Sequence, residues 1–111
     1  MAKLERTVSG IDINTLSQRI VEGITSRSIS ASLEDQSYLK AGNATCIVLV
    51  FERYSIIGSN RVSLNVTLLG TADRVLVSAI SSGGSEALFW KLNTFGEEAF
   101  LDVFADVLGN L

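Results

Sequence analysis

RVSLNVTL, residues 61–68, alternates without a break: Val62, Leu64, Val66 and Leu68 oppose Arg61, Ser63, Asn65 and Thr67. A side-chain period of two belongs to a strand with one dry face and one wet face. Upstream, CIVLVFERYS (46–55) is apolar at both parities until Glu52, the pattern of a strand covered on both faces. DRVLVSAIS (73–81) behaves similarly, with Val75, Val77 and Ala79 on one side and Leu76, Ser78 and Ile80 on the other. Earlier still, SISASLE (28–34) sets Ile29, Ala31 and Leu33 against Ser28, Ser30, Ser32 and Glu34, and Glu34-Asp35 reads as a bend in a long strand. The links Ala41-Gly42-Asn43, Gly58-Ser59-Asn60 and Gly70-Thr71-Ala72-Asp73 supply residues that tolerate positive φ or cap a turn. Four strands joined this tightly predict an antiparallel meander.

The flanks change period. Lys3 to Ser9 places Leu4, Arg6 and Val8 opposite Lys3, Glu5 and Thr7, which fits a short edge strand. Ile13, Leu16, Ile20 and Ile24 then recur at three-and-four spacing, predicting a helix over 13–25 with Asp12 as its N-cap. Thr94-Phe95-Gly96-Glu97 fits a capping box, which starts a second helix at Thr94 with Phe100, Val103, Phe104, Val107 and Leu108 as its buried stripe. The order is β-α-β-β-β-β-α, an α+β domain. Each helix has one apolar stripe to hide, so both belong on the dry face of the sheet. The architecture is similar in outline to TATA-binding-protein-like and helix-grip domains, an analogy that carries no function.

Composition narrows the chemistry. The 111 residues make one domain of ordinary size, 47% hydrophobic and 19% charged, with a net charge of −3. No Lys/Arg cluster is present, so a nucleic-acid partner is not expected. The longest unbroken apolar run, Cys46 to Phe51, is far short of the roughly 20 residues a membrane helix needs. MAKLERTVSG has no apolar core of a secretory signal, and the single cysteine permits no internal disulfide, so the expected compartment is the cytoplasm. There is no histidine, which removes the commonest general base and transition-metal ligand. There is no proline either, so no strand edge is blocked by one.

Four stretches carry a resemblance. RSISASLED (27–35), ERYSIIGSNRVSLNVTL (52–68), SAISSGGS (78–85) and NTFGEEAFLDV (93–103) resemble a family of small bacterial cytoplasmic domains of unknown function. The resemblance implies a compact domain, and it transfers no activity and no site residue.

Candidate sites are few. SSGGS (81–85) lacks the Lys-Ser of a phosphate loop, the spacing of a dinucleotide fingerprint and the G-x-S-x-G of a nucleophile elbow, so it reads as the turn that ends the meander. Glu97, Glu98, Asp102 and Asp106 read as the solvated face of the last helix, and no metal or other cofactor is expected. Arg53, Tyr54 and Arg61 close the central strands, and with Ser63, Asn65, Ser82, Gly83 and Gly84 they form the candidate surface for a partner or a small anionic ligand. Phe89 and Trp90 read as core or hinge.

The strongest functional expectation is collective. With both helices on one face, the other face shows a central strand apolar on both sides, between neighbours carrying Ser28, Ser30, Ser32, Ser63, Asn65, Thr67 and Ser78. Apolar centre and polar margin make the anatomy of an interface, so the expected function is a non-enzymatic binding domain that forms a homodimer, face to face or by edge pairing. The alternative is a small histidine-free enzyme or anion-binding protein using Arg53, Tyr54, Arg61 and SSGGS. No nucleophile–base pair stands out from spacing to support it.

Overall fold

A computed structural model describes residues 1–28, 30–55, 60–83 and 90–111. Its elements run β1 (Ala2–Ser9), α1 (Ile13–Arg27), β2 (Ser32–Ala41), β3 (Ala44–Ser55), β4 (Asn60–Gly70), β5 (Arg74–Gly83) and α2 (Trp90–Gly109). The five strands form one antiparallel sheet in the order β1-β5-β4-β3-β2. The α1 connection carries the chain from one edge of the sheet to the other. The meander then walks back until β5 pairs with β1.

Alternation in the sequence becomes two faces in the structure. Ile47, Leu49 and Phe51 of β3, Val62, Leu64, Val66 and Leu68 of β4, and Val75, Val77 and Ala79 of β5 are all buried. They join Leu16, Ile20 and Ile24 of α1 and Phe100, Phe104 and Val107 of α2 in a single core. Both helices therefore lie on this inner face, as the two apolar stripes require. The helices meet closely at Gly23, where an added Cβ would sit 2.6 Å from Val107 Cγ1. Only glycine permits that approach. Arg27 pairs with Asp106 across the same helix–helix seam.

Local signals place the element ends. Asp12 caps α1, its Oδ2 accepting from the Thr15 amide at 3.2 Å. Gly42, at φ +57°, and Asn43 form the two-residue turn between β2 and β3. A bulge between Leu33 and Asp35 interrupts the pairing of β2 with β3, which is the bend expected at Glu34-Asp35.

Three boundaries differ from the sequence reading. β2 starts at Ser32 and not at Ser28, because α1 runs two residues past Thr25 and Ser28 is its C-cap, its amide donating to Ile24 O at 3.1 Å. Ser28 is thus buried at a helix end and Ser30 lies in a turn, so neither belongs to the outer sheet face. β5 continues through Gly83, so the first part of SSGGS is strand. α2 begins at Trp90, four residues before the expected cap, since Leu92, Phe95 and Ala99 extend its three-and-four apolar spacing backward and leave Thr94 inside the helix. Ile29, the turn residues Gly58 and Ser59, and Gly84, Ser85 and Phe89 lie outside the described residues.

Candidate functional site

Strand pleating splits the candidate constellation. Arg53 pairs with Val62 and shares the inner face, whereas Tyr54 pairs with Arg61 on the outer face. The Arg53 guanidinium lies over the Phe100 ring, 4.7 Å from its centroid, and burial pushes its pKa below the ordinary arginine value. Among the described residues no carboxylate pairs with it. Arg61 donates to Glu52 Oε1 at 2.8 Å and its guanidinium lies 5.2 Å from the Tyr54 ring centroid. Tyr54 first and Glu52 second hold the Arg61 pKa above its ordinary value. The hollow at this end, lined by Ser30, Ser32, Glu52, Arg53, Tyr54 and Arg61 among others, is only about 90 Å³. Such a volume admits an ion or a few waters but is far below that of an ordinary small-molecule pocket.

The remaining candidates lie along the outer face. Ser63 and Ser82 are cross-strand partners whose hydroxyls hydrogen-bond at 2.7 Å, and Asn65 stands exposed one pleat further on. Gly83 is the last residue of β5, beside Val62, and Gly84 lies outside the described residues. Ser81 differs from Ser82. Its side chain faces the core, fully buried, and its hydroxyl has no hydrogen-bond partner among the described residues. Tyr54, Arg61, Ser63, Ser82 and Asn65 are thus brought onto one face, and Arg53 is turned away from them.

A larger feature on that face escaped the sequence reading. The paired registers line up Thr7, Leu76, Leu69, Cys46 and Leu39 as one row across all five strands. Leu39, Leu69 and Leu76 are 58%, 39% and 43% exposed, and Ile80 of the same face is 36% exposed. Val48 and Val50, half-buried, fill the centre. An open-sided depression of about 620 Å³ follows this row between β1, β5 and β4, lined by Glu5, Thr7, Thr67, Leu69, Leu76 and Ser78 among others. The signal was present as parity, since Leu69 continues the wet side of RVSLNVTL and Leu76 the side opposite Val75. Only the register shows that four such positions from four strands meet in one line.

The described residues of this face offer an aliphatic row with polar neighbours as contact area. Among the described residues no three His, Cys, Asp or Glu side chains gather as metal ligands, and no helix is long and apolar enough to cross a membrane. Comparison with curated proteins and with solved structures finds no significant match. A family model does match, over residues 1–111 and hence over both faces of the sheet and both helices. The chain belongs to DUF6054, a family of unknown function.

Proposed function

We propose that this chain is a non-enzymatic interaction domain that pairs with a second copy of itself through the outer face of its sheet. The row Leu39–Cys46–Leu69–Leu76 carries the reading, because large aliphatic side chains aligned across a sheet and left to water are what an interface core looks like before it closes. Size supports it. Five strands spaced about 4.8 Å and four paired rows spaced about 6.8 Å give each copy on the order of 650 Å², so two copies bury about 1,300 Å², within the range of specific interfaces.

Symmetry supports it as well. Put a two-fold axis along β4 in the plane of contact. Each row then returns onto itself while β5 exchanges with β3 and β1 with β2. Leu69 meets the partner's Leu69, Leu76 meets the partner's Cys46, and Ile80 meets the partner's Val50. At the margin Lys3 comes opposite the partner's Asp35, because both occupy the Asn65 row. Two twisted sheets stacked this way keep their strands within about 30° of each other. Leu69, Leu76, Cys46, Ile80 and Val50 thus meet apolar partners, and opposite charges meet at the rim.

Sedimentation equilibrium of the chain and of Leu69→Glu tests the proposal. The expected result is a mass that rises to twice the chain mass for the parent and stays at one chain for Leu69→Glu, which sets two carboxylates against each other on the axis. A parent that remains one chain at every concentration overturns it.

A further inference from the structure

The two edges of the sheet are not alike. β1 carries Lys3, Glu5 and Arg6 among its eight residues, the usual protection of an edge against strand addition. β2 keeps its charges at its ends, in Glu34 and Asp35 at the bulge and Lys40 beside the turn. Between them Gln36-Ser37-Tyr38-Leu39 is uncharged, with Tyr38 57% exposed. The turn geometry fixes which backbone groups face outward. A two-residue turn makes Ala41 and Ala44 a hydrogen-bonded pair, so the pairs alternate and the N–H and C=O groups of Lys40, Tyr38 and Gln36 point away from β3. The Gln36 amide fits this reading, since it donates to the Asp35 carboxylate at 2.8 Å and not to a strand.

Side chains of the same three residues face the helix side of the sheet, where α1 leaves β2 uncovered. A groove of about 860 Å³ runs between α1 and β2. Val21, Leu33 and Ile47 line it with Tyr38, and Asn14 and Gln18 of α1 supply amides. The groove is electrically polar along its length. Glu22 lines it and Glu34 stands at the Leu33 end of β2, and Lys40 stands at the other end.

We infer that the β2 edge and the α1–β2 groove form a docking site for an extended peptide segment of a partner protein. The segment adds as a sixth, antiparallel strand with aliphatic side chains in the groove, an acidic residue at its N-terminal end beside Lys40 and a basic residue at its C-terminal end beside Glu34 and Glu22. Main-chain bonds to Tyr38 and Lys40 supply the register, and alternate side chains supply the selectivity. Charge complementarity at both ends sets the direction, and antiparallel addition continues the pairing of every other strand in the sheet. This site lies on the edge and the helix side, and it does not depend on the outer-face dimer.

Fluorescence polarisation with a labelled heptapeptide, Glu-Thr-Val-Thr-Val-Thr-Lys, tests the inference. Antiparallel addition sets its valines opposite Tyr38 and Gln36 and its lysine near Glu34. Saturable binding is expected, with the charge-reversed peptide Lys-Thr-Val-Thr-Val-Thr-Glu weaker by roughly fivefold, the effect of turning two exposed charge pairs from attraction to repulsion. Tyr38→Pro removes one outward amide and the groove-lining ring while sparing the ladder to β3, and it should abolish binding with an unchanged circular dichroism spectrum. Leu69→Glu should bind as the parent does, even as a single chain, which separates this site from the dimer. Absence of saturable binding, or binding indifferent to Tyr38→Pro, overturns the assignment. So does binding that only a second copy of β2 competes away, seen as loss of probe signal with rising parent concentration but not with rising Tyr38→Pro.

Discussion

The inner and outer faces of the sheet are built from the same five strands, from neighbouring residues that differ by one position, and they meet opposite fates. Val62, Leu64, Val66 and Leu68 are wholly buried, whereas Asn65 and Leu69 of the same strand are exposed. The cause is the two helices. Their stripes are spent on the inner face, where Leu16, Ile20, Ile24, Phe100, Phe104 and Val107 complete the core. Nothing in the chain's described residues is left to seal the row Leu39–Cys46–Leu69–Leu76. Under the helices the inner face is a closed core, and the outer face carries its aliphatic row open to water.

The largest test of that contrast is truncation on each face. Phe51→Ala, at full burial beneath the helices, should cost about 3–5 kcal/mol by urea unfolding. Leu69→Ala should cost under about 1 kcal/mol when the protein is dilute enough to be a single chain, since much of its side chain already meets water. Comparable costs at the two sites would erase the distinction between the faces.

A second substitution probes how the inner face is sealed. Gly23→Ala gains helix propensity but drives a methyl group to 2.6 Å from the stiff Val107 side chain, so a net loss of about 1–2 kcal/mol is expected. Combining it with Val107→Ala should recover part of the loss in a double-mutant cycle, because the clash is then gone. Purely additive effects would mean that the helices do not touch where the fold places them.

The smallest effect sharpens the comparison at a buried polar residue of the inner face. Ser81 is a polar side chain on the inner face, fully buried, with a hydroxyl unpaired among the described residues. Ser81→Ala should leave stability unchanged or raise it by up to about 1 kcal/mol, whereas Ser82→Ala, on the outer face, loses the 2.7 Å bond to Ser63 and should lower it slightly. Thermal unfolding of the two variants side by side reads the sign.

Alternation made most of the fold legible. Period two in RVSLNVTL and period three-and-four in Ile13–Ile24 report directly which side of an element is dry, and the order β-α-β-β-β-β-α follows with both helices on one face. Element ends were harder to read. Ser28 alternates correctly with Ile29 and Ser30 but serves as the cap of α1, because helix and strand patterns overlap where the chain changes direction. Thr94 and Glu97 have the residue types of a capping box, yet the apolar spacing continues upstream of them and the helix follows the spacing. Of the candidate site, the outer-face polar residues were legible by parity, and so was the apolar middle of β3. Two things were not. Adjacent residues of a strand face opposite ways, so Arg53 and Tyr54 border one small hollow from opposite faces of the sheet, and a row built from one residue in each of several strands has no local signature in any of them.

Cys46, the chain's single cysteine, stands half-buried in the middle of that row and reports on it without any substitution. Its rate of reaction with a disulfide reagent should fall as the parent is concentrated and should stay constant for Leu69→Glu, because pairing of outer faces places the thiol against the partner's Leu76. A parent thiol whose second-order rate is the same at every protein concentration, in a sample that sediments as one chain, would contradict the central claim.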